Sequence, residues 1–379
     1  MFDQMNEDQT AIFDMAKALG QSEIAPHARA WEGAGTIPKA LWPKLAELGF
    51  GGLYVREESG GSGLSRHDST LVFEALAMAC PSVSAFLSIH NMCAWMIDSF
   101  GSEAMHAARL ADAVSMEKFY SYCLTEPGSG SDAAALKTKA ERTNEGYILT
   151  GTKAFISGGG YSDAYIVMAR TGDGGPKGIS SVIVDDGAEG LSFGGLEAKM
   201  GWKAQPTRQV QLDACAIPAA NLLGEEGMGF AYAMKGLDGG RLNIAACSLG
   251  GAQAALDATL AYMKDRGAFG KKLTEFQALQ FRLAEMEIEL QAARTFLRSA
   301  AQSLDAGAPD ATKRCAMAKK FVTEAGSKVA DQCLQLHGGY GYLADYGIEK
   351  IVRDLRVHQI LEGTNEIMRL IVARDMLRA

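Results

Sequence analysis

Apolar residues in the first third of the chain repeat with the period of an α-helix. This spacing is seen at Ile12, Phe13, Ala16 and Leu19, and again at Leu71, Phe73, Leu76 and Ala77. Between the two runs, residues 58–68 (ESGGSGLSRHD) resemble a phosphate-binding loop but lack the G-K-[ST] ending, so we expect a plain connector. The pattern predicts a helical domain over residues 1–118.

Residues 119–225 have a different texture, in which short runs of β-branched residues are separated by glycine. The clearest runs are 146–160 (GYILTGTKAFISGGG), 164–172 (AYIVMARTG), 178–187 (GISSVIVDDG) and 208–218 (RQVQLDACAIP). Because no periodic segment of helix length separates them, βαβ crossovers and a parallel sheet are disfavoured. The sequence predicts an antiparallel β domain.

Helical periodicity returns over residues 226–379. Apolar residues spaced by three and four occur at Phe276, Leu279, Leu283, Met286, Leu290, Ala293, Leu297, Ala300 and Leu304. Thr274 and Gln277 form a capping-box pattern at the start of this helix, and Gly307 with Pro309 marks its end. The stripe of the next helix includes Cys315, Phe321, Val322 and Val329. The fold class is therefore α+β but mainly α, with a helical bundle at the C-terminal end.

Composition narrows the class of protein. The 379 residues suffice for two or three domains, and the 47% hydrophobic and 22% charged residues are ordinary globular values. No stretch approaches the roughly 20 apolar residues that span a bilayer, so we expect no membrane partner. A net charge of −8 without a basic block argues against a nucleic-acid partner.

Cysteine, histidine and the N-terminus bear on metals and compartment. The seven cysteines form no C-x-x-C pair and the histidines have no metal-ligand spacing, so we expect reduced core thiols and no metal. The N-terminus, MFDQMNEDQT, is acidic and shows no leader. We expect a cytoplasmic protein of a bacterium, or of the mitochondrial matrix if a transit peptide preceded this numbering.

Residues 122–132 (YCLTEPGSGSD) are the richest candidate for a ligand site. They contain a G-x-G-x-x-A pattern, but Pro127 precedes the glycines and strands follow in place of a long apolar helix. The context of a Rossmann fingerprint is therefore missing. The glycines and small hydroxyls can bring backbone N–H groups close to a ring system or a pyrophosphate, or they can form a simple turn. Both interpretations stay open on this motif alone.

Four further segments allow both a functional and a structural interpretation. The strand end KAFIS (153–157) suits stacking on a planar cofactor, or core packing. Asp238 and Arg241 can form a fork for phosphate or amide oxygens, or an ion pair. Residues 265–277 carry Arg266 and Phe269, which suit pyrophosphate and ring contacts, or form an ordinary loop. In residues 335–369, Gly338, Gly339 and Gly341 break a helix beside two tyrosines, Tyr340 and Tyr342.

Taken together, these motifs resemble the acyl-CoA dehydrogenase family. The runs TEPGSGSD, KAFIS, D-x-x-R at 238–241, R-x-x-F-G-K at 266–271, QLHGGYGY and LEGTNE occur in the family's order over essentially the whole chain. The resemblance implies an N-terminal helical domain (1–118), a middle β domain (119–225) and a C-terminal four-helix bundle (226–379), assembled as a homotetramer around FAD. Within the family, the resemblance is strongest to members that act on short branched substrates.

The family's site residues carry over motif by motif. The resemblance implies flavin contacts for Tyr122, Cys123, Leu124, Thr125, Glu126, Pro127, Gly128, Ser129, Gly130, Ser131, Phe155, Ile156 and Ser157, with Thr364, Asn365 and Glu366 beside the flavin phosphates. It implies contacts with a neighbouring subunit's FAD for Arg266, Phe269, Phe276, Gln277, Gln335, Leu336, His337, Gly338 and Gly339. Acyl-CoA contacts are implied for Ser131, Asp238, Arg241, Gly363 and Arg374.

Glu362 would be the catalytic base. In such a reaction the base removes the α-proton of an acyl thioester while a hydride leaves the β-carbon, and FAD accepts the hydride. Ile360 and Leu361 suggest a dry environment, which raises the pKa of a carboxyl group toward a useful value. The alternative is a carboxylate that caps Thr364 or pairs with Arg369. Some relatives supply their base from the position of Gly240, which has no side chain here.

The resemblance implies oxidation of isobutyryl-CoA to methacrylyl-CoA in valine catabolism, with electrons passed to electron-transferring flavoprotein. A straight short-chain or 2-methylbutyryl-CoA substrate is an alternative. Two other functions are also considered, an acyl-CoA oxidase reoxidised by oxygen and a non-catalytic acyl-CoA-binding protein. The chain is shorter than typical oxidases of that kind, and the presence of Glu362 and the flavin motifs counts against the non-catalytic protein.

Overall fold

The computed structural model of the chain describes residues 5–378. Its first part is helical, with α1 (Glu7–Leu19), α2 (Ala28–Ala34), α3 (Leu41–Ala46), α4 (Arg66–Ala79), α5 (Pro81–Phe100) and α6 (Glu103–Val114). Local signals set the helix starts: Asn6 and Gln9 form a capping box at α1, and Ser65 caps α4. Two 3-10 turns, Phe50–Gly52 and Glu57–Ser59, lie between α3 and α4. The predicted connector over residues 58–68 ends at residue 65, because residues 66–68 form the first turn of α4.

The middle part is a sheet built of β1 (Tyr120–Cys123), β2 (Lys139–Arg142), β3 (Gly146–Ser157), β4 (Ala164–Arg170), β5 (Ile179–Asp185), β6 (Leu191–Phe193), β7 (Thr207–Pro218) and β8 (Leu222–Leu223). The main path runs in the order β6-β7-β3-β2-β4-β5-β8, and β1 pairs with β4. The long strands β3 and β7 are antiparallel, with Tyr147 opposite Ile217.

The sheet is mostly antiparallel, as predicted, but two of its pairings are parallel. β1 runs parallel to β4, with Tyr120 opposite Ala164, and β2 also touches β4 in parallel at Lys139 and Arg170. A parallel pair needs a long crossover connection. Here residues 124–163 form that connection with a loop and the β2–β3 hairpin, so no βαβ helix was visible in the sequence.

The C-terminal part is helical again, with α7 (Gly229–Asp265), α8 (Gln277–Asp305), α9 (Ala311–His337), α10 (Ile348–Arg356) and α11 (Asn365–Met376). A short hairpin, β9 (Gly267–Ala268) and β10 (Lys271–Lys272), joins α7 to α8. The helices α7, α8, α9 and α11 pack side by side. The apolar stripe of α8 is buried at Met286, Leu290, Ala293, Leu297 and Ala300.

Two details of the sequence interpretation are corrected in this bundle. The predicted capping box at Thr274 is absent from the described structure, since α8 begins after Phe276 without a side-chain cap, while the Glu275 carboxylate accepts from the Lys272 backbone N–H at 2.5 Å. Phe321 is 38% exposed and therefore lies outside the buried stripe of α9. Its ring lies at the edge of the bundle, where its centre is 5.9 Å from that of Phe296 on α8.

The core helix of the protein is α7. It is long and apolar enough to cross a membrane by length and composition, but 67% of its most apolar window is buried inside the protein. It packs on α4, α5, α8 and α9, and therefore joins the N-terminal helices to the bundle. As predicted for core thiols, the seven cysteines, all within the described residues, are free and buried.

Candidate active site

A strained turn carries Glu362. After a 3-10 turn, Val357–Gln359, the chain enters the left-handed region at Glu362 (φ 54°) and at Gly363 (φ 88°). A glutamate seldom adopts this conformation, and such strain is concentrated at functional sites. Thr364 then caps α11 by accepting from the Ile367 backbone N–H at 3.4 Å. The Glu362 side chain is therefore carried by a turn between the end of the 3-10 turn and the start of α11.

A buried histidine anchors the same turn. His358 accepts a hydrogen bond from Trp202 Nε1 at 3.1 Å, and its Nδ1 lies 2.6 Å from Ser248 Oγ on α7. Burial and, to a smaller extent, the cation Lys319 lower the pKa of His358 to about 3. The imidazole is therefore neutral, which is the state that can accept from Trp202.

The Glu362 carboxylate lies against a glycine of α7. A Cβ atom added to Gly240 would stand 2.4 Å from Glu362 Oε2, so only glycine leaves space for the carboxylate. Glu362 Oε2 is buried without a hydrogen-bond partner, although the residue as a whole keeps intermediate exposure. Burial raises the pKa of Glu362 to about 7, while Lys319 and Arg241 oppose this rise. The result is a carboxylate that titrates near neutral pH.

Arg241 and Asp238 lie on the same helix, close to the carboxylate. Arg241 Nη1 donates to Asp238 Oδ1 at 2.6 Å, and Asp238 Oδ2 accepts from Thr312 Oγ1 at 2.6 Å. Both residues are buried, and Arg241 Nε has no hydrogen-bond partner in the described structure. The ion-pair interpretation of this motif is therefore correct, and the free guanidinium nitrogen leaves the phosphate or amide interpretation available as well.

Bulky side chains close the space beside Gly239, the residue before Gly240. The guanidinium of Arg66 stacks 3.5 Å from the ring centre of Tyr54 and 4.7 Å from that of Trp95. Arg66 Nη1 would stand 2.3 Å from a Cβ atom added to Gly239, and it is buried without a partner. The side chains of Arg66, Tyr54 and Trp95 thus form a wall beside Gly239. Gly239 is one residue before Gly240, which faces the Glu362 carboxylate.

The predicted flavin loop and strand end lie next to each other. The backbone N–H of Ala154 donates to Thr125 O at 2.8 Å, which joins the loop to β3. A register shift in β3 between Lys153 and Ile156 places Phe155 in the left-handed region (φ 58°) with 69% of its surface exposed. The bulge therefore presents an aromatic ring on the outside of the sheet.

Buried charge holds the loop in place. The Glu126 carboxylate accepts from the backbone N–H of Lys137 at 2.6 Å and of Thr138 at 2.8 Å, and from Lys153 Nζ at 2.8 Å. The Ser129 hydroxyl donates to Asp132 O at 2.6 Å. With these side chains turned inward, Gly128 and Gly130 face open space, where an added Cβ would meet nothing within 4 Å. The loop therefore offers its backbone to a ligand.

A second group of predicted residues lines a separate surface cavity of about 410 Å³. Its wall includes Arg266 and the helix end Gln335–Gly339, with Tyr340 beneath the Arg266 guanidinium at 5.3 Å. At the hairpin tip nearby, Phe269 is left-handed (φ 52°) and 94% exposed. Its ring centre lies 6.5 Å from that of Phe276, next to Gln277 at the start of α8.

Several residues predicted to contact the flavin have their side chains buried inside the protein, which leaves mainly their backbone for a ligand. These are Cys123, Leu124, Glu126, Ser129, Ile156, Leu336, His337 and Asn365. Arg374 lies exposed on α11, nine residues after Asn365, about 13 Å along the helix at the standard rise. The structure therefore leaves Arg374 apart from Glu362 and Arg241. Tyr122, Pro127, Gly128, Gly130, Ser131, Phe155, Thr364 and Glu366 are at least partly exposed.

The loop and Phe155 fit a flavin. An exposed aromatic ring beside glycines without neighbours provides a platform for a planar ring and room for close backbone approach. Tyr122 Oη, Arg241 Nε, Arg66 Nη1 and Glu362 Oε2 are buried polar atoms without partners in the described structure. Buried polar groups in native proteins are nearly always hydrogen-bonded, so a concentration of exceptions marks a ligand site.

Sequence reasoning missed Tyr54, Arg66, Trp95 and Lys319. Lys319 had a usable signal, since it lies on the buried face of α9 four residues after Cys315 and three before Val322. Lysine is rarely fully buried unless it is paired, so a lysine within an apolar stripe indicates a specific role. Arg66 stood in the segment read as a connector, and nothing local shows that Tyr54 and Trp95 reach it from other elements.

Comparison with known families places the whole chain. Three family descriptions match consecutive segments: "Acyl-CoA dehydrogenase, N-terminal domain" at residues 6–117, the middle domain at 121–215 and the C-terminal domain at 227–377. The chain is 51% identical to a mitochondrial isobutyryl-CoA dehydrogenase of Bos taurus and 52% identical to one of Dictyostelium discoideum. These alignments cover 99% and 98% of this chain and 90% of each relative.

Solved structures agree with this placement. Butyryl-CoA dehydrogenase from Megasphaera elsdenii superposes with a TM-score of 0.96 at 37% identity, covering 100% of both chains. The FAD complex of PigA superposes with a TM-score of 0.95 at 28% identity, again over 100% of both chains. Fold and site thus define a flavoprotein oxidoreductase that uses FAD. More narrowly, the chain belongs to the acyl-CoA dehydrogenase family.

Proposed function

We propose that this enzyme oxidises isobutyryl-CoA to methacrylyl-CoA, with Glu362 as the base that removes the α-proton. The observation that carries the proposal is a carboxylate with a pKa near 7, seated against Gly240 in a strained turn beside a flavin-compatible loop. A general base works best when its pKa lies near the working pH. A carboxylate with the ordinary pKa of glutamate would be a weaker base, and the α-carbon of a thioester is itself a very weak acid.

Different residues of the chain remove the proton and bind the substrate. Glu362 takes the α-proton, and its backbone N–H, which donates to no other group in the part of the chain that the structure describes, is available to the thioester oxygen as charge develops there. Arg241, Asp238, Ser131 and Gly363 bind the acyl-CoA. FAD, when bound, supplies the hydride acceptor that no side chain provides.

The flavin contacts follow from the exposed surfaces of the site. Phe155 would hold the ring system by stacking, and the backbone of Gly128 and Gly130 would allow close approach. The start of α11 at Thr364 would hold the flavin phosphates, because a helix N-terminus favours anions. The residues that line the cavity at Arg266 and Gln335–Gly339 would hold the FAD of a neighbouring subunit.

A short branched acyl group fits the closed end of the site. The wall beside Gly239 is formed by Tyr54, Arg66 and Trp95, and Gly239 is one residue before the glycine that faces the Glu362 carboxylate. This wall leaves little length for an acyl chain. The two relatives at 51% and 52% identity are both named isobutyryl-CoA dehydrogenases. Since one methylene group changes discrimination by only about 1 to 3 kcal/mol, butyryl-CoA and 2-methylbutyryl-CoA are the competitors to test.

We further propose a homotetramer that passes electrons to electron-transferring flavoprotein as a step of valine breakdown. The assembly is supported by the separation of the two groups of candidate flavin residues within one chain, because the cavity at Arg266 and Gln335–Gly339 is lined by none of residues 122–131. A reducing compartment, the bacterial cytoplasm or the mitochondrial matrix, suits the buried free cysteines. Mass measurement in solution tests the assembly, and a stable monomer that retains FAD would contradict a shared flavin site.

The deciding experiment is the visible spectrum of the purified enzyme before and after anaerobic addition of isobutyryl-CoA, butyryl-CoA or 2-methylbutyryl-CoA. The flavin bands should bleach fastest with isobutyryl-CoA. Faster bleaching with a competitor would replace the substrate while keeping the reaction. Peroxide formed in air without another acceptor would instead indicate an oxidase.

A paired substitution tests the base. Glu362→Gln should keep FAD and bind acyl-CoA but lose bleaching, because the amide cannot take the proton. Glu141→Gln, which changes an exposed carboxylate of β2, is the matched control and should bleach like the wild type. Bleaching at the wild-type rate in Glu362→Gln would remove Glu362 from the role of base.

A further inference from the structure

Lys319 is a fully buried cation next to the Glu362 turn. It lies on α9, and its ammonium group donates to Gly363 O at 2.8 Å and to Asn365 Oδ1 at 3.0 Å. Both of these acceptors are uncharged. Burying an ammonium group whose hydrogen bonds go to uncharged oxygens is costly, and burial lowers the pKa of Lys319 to about 8, although the nearby Glu362 carboxylate opposes this. Because burying this charge is unfavourable for folding, we expect its contacts to serve a function.

Its two hydrogen bonds hold the turn from one side. Gly363 O belongs to the second of two consecutive left-handed residues, and Asn365 is the first residue of α11. Asn365 is also fixed to α9 by its Nδ2, which donates to Thr323 Oγ1 at 3.1 Å. Lys319 therefore ties the C-terminal side of the strained segment, directly after Glu362, to a rigid helix. The direction of the Glu362 side chain depends on that segment.

Lys319 also acts on the charge of Glu362. It is the larger of the two cationic influences that hold the pKa of Glu362 down against burial, and Arg241 on α7 is the other. The remaining titratable groups that face the carboxylate are neutral near pH 7: Tyr54, Tyr122 and Cys247. The groups that face Lys319, besides Glu362 and Arg241, are Glu324, Glu366 and the neutral His358.

We propose that Lys319 is a positioning residue of this enzyme, which holds the Glu362–Gly363 turn in place and increases the ionised fraction of the Glu362 carboxylate at neutral pH. The inference rests on the proposed role of Glu362 as the base. Arg241 alone cannot replace it, because the Arg241 guanidinium is shared with Asp238. Within residues 5–378, the hydrogen bonds of the Lys319 ammonium group go to uncharged oxygens, Gly363 O and Asn365 Oδ1.

The test is the pH dependence of anaerobic flavin bleaching by isobutyryl-CoA in wild type, Lys319→Gln and Lys319→Met. Glutamine keeps a hydrogen-bond donor and removes the charge, and methionine removes both. Loss of a nearby opposite charge should move the midpoint up by about one pH unit or more. The rate at pH 7 should then fall about fivefold or more and recover at higher pH.

Thr323→Val is the matched control. Thr323 lies one turn later on the same buried face of α9, and its change removes a polar contact with Asn365 without removing charge. Its midpoint should stay at the wild-type value. An unmoved midpoint in both Lys319 variants, or an equal shift in Thr323→Val, would overturn the proposal.

A second measurement does not depend on turnover. The infrared band of a protonated carboxylic acid, assigned to Glu362 by its loss in Glu362→Gln, can be followed against pH in the holoenzyme. The band should persist to higher pH in Lys319→Gln than in wild type, and coincident titrations would overturn the inference. If Glu362→Gln still bleaches with substrate, the proposed base fails, yet this titration still reports whether Lys319 controls the ionisation of Glu362.

Discussion

The contact between Gly240 and Glu362 allows a quantitative prediction. In Gly240→Ala the new methyl carbon would stand 2.4 Å from Glu362 Oε2, about 1 Å short of the roughly 3.5 Å at which non-bonded atoms rest. The obstructed atom is the end of a side chain, so the carboxylate can turn aside without moving backbone. Alanine also favours the helix over glycine by about 1 kcal/mol. The variant should therefore fold and retain FAD.

Its activity should fall steeply. Displacing a catalytic group by 1 Å can cost about a hundredfold in rate, equivalent to about 2.7 kcal/mol of activation free energy. Stopped-flow measurement of flavin bleaching under anaerobic saturating isobutyryl-CoA reports the chemical step. Flavin content and thermal unfolding, measured on the same preparation, establish that the fold and the cofactor are intact.

Gly236→Ala is the control on the same helix, one turn earlier. A Cβ atom there would meet Met96 Sδ at 3.3 Å and Met92 Cγ at 3.5 Å, which flexible methionine side chains accommodate. It should bleach within about twofold of the wild-type rate, since no catalytic group is moved. If Gly240→Ala bleached as fast as Gly236→Ala, the position of the Glu362 carboxylate would not limit the reaction, and the reasoning from this contact would be wrong.

Three further predictions follow from the site. The kcat/KM for acyl-CoA should rise with pH through about 7 and then level off, because burial raises the pKa of Glu362 to about 7 and only the ionised form accepts a proton; a profile flat across neutral pH would contradict this. Phe155→Ala should weaken FAD binding by about 1 kcal/mol, roughly fivefold, as seen by release of fluorescent flavin on dilution, whereas exposed Phe321→Ala should not. Arg66→Ala should open space beside Gly239 and raise the ratio of kcat/KM for hexanoyl-CoA to that for isobutyryl-CoA by about tenfold or more; an unchanged ratio would place the end of the acyl pocket elsewhere.

Periodicity predicted the architecture well where local burial sets the pattern. The α8 stripe from Met286 to Ala300 is buried because residues three and four apart share one helix face. The pattern failed where pairing depends on distant segments. The parallel β1–β4 pair joins Tyr120 to Ala164 across a connection that contains another hairpin, and no local signal records that arrangement.

The candidate site divides in the same way. The motifs pointed to Glu362 and to residues 122–131 as candidates, because short-range constraints such as a left-handed turn or a run of glycines leave their mark on neighbouring residues. They did not reveal that Glu126 turns inward to Lys153, or that Arg374 lies away from the carboxylate. Whether a side chain faces a ligand or the core depends on what packs against it.

The sequence by itself determined the order of helices and strands, the reduced core cysteines and the motif set that marks the family, since each depends on residue type and spacing along the chain. Only the tertiary structure decided the properties of the base. Its pKa near 7 results from burial opposed by Lys319 and Arg241, which come from two other helices. Desolvation and Coulomb energy depend on distance in space, and residues 319, 241 and 362 become neighbours only when the bundle forms.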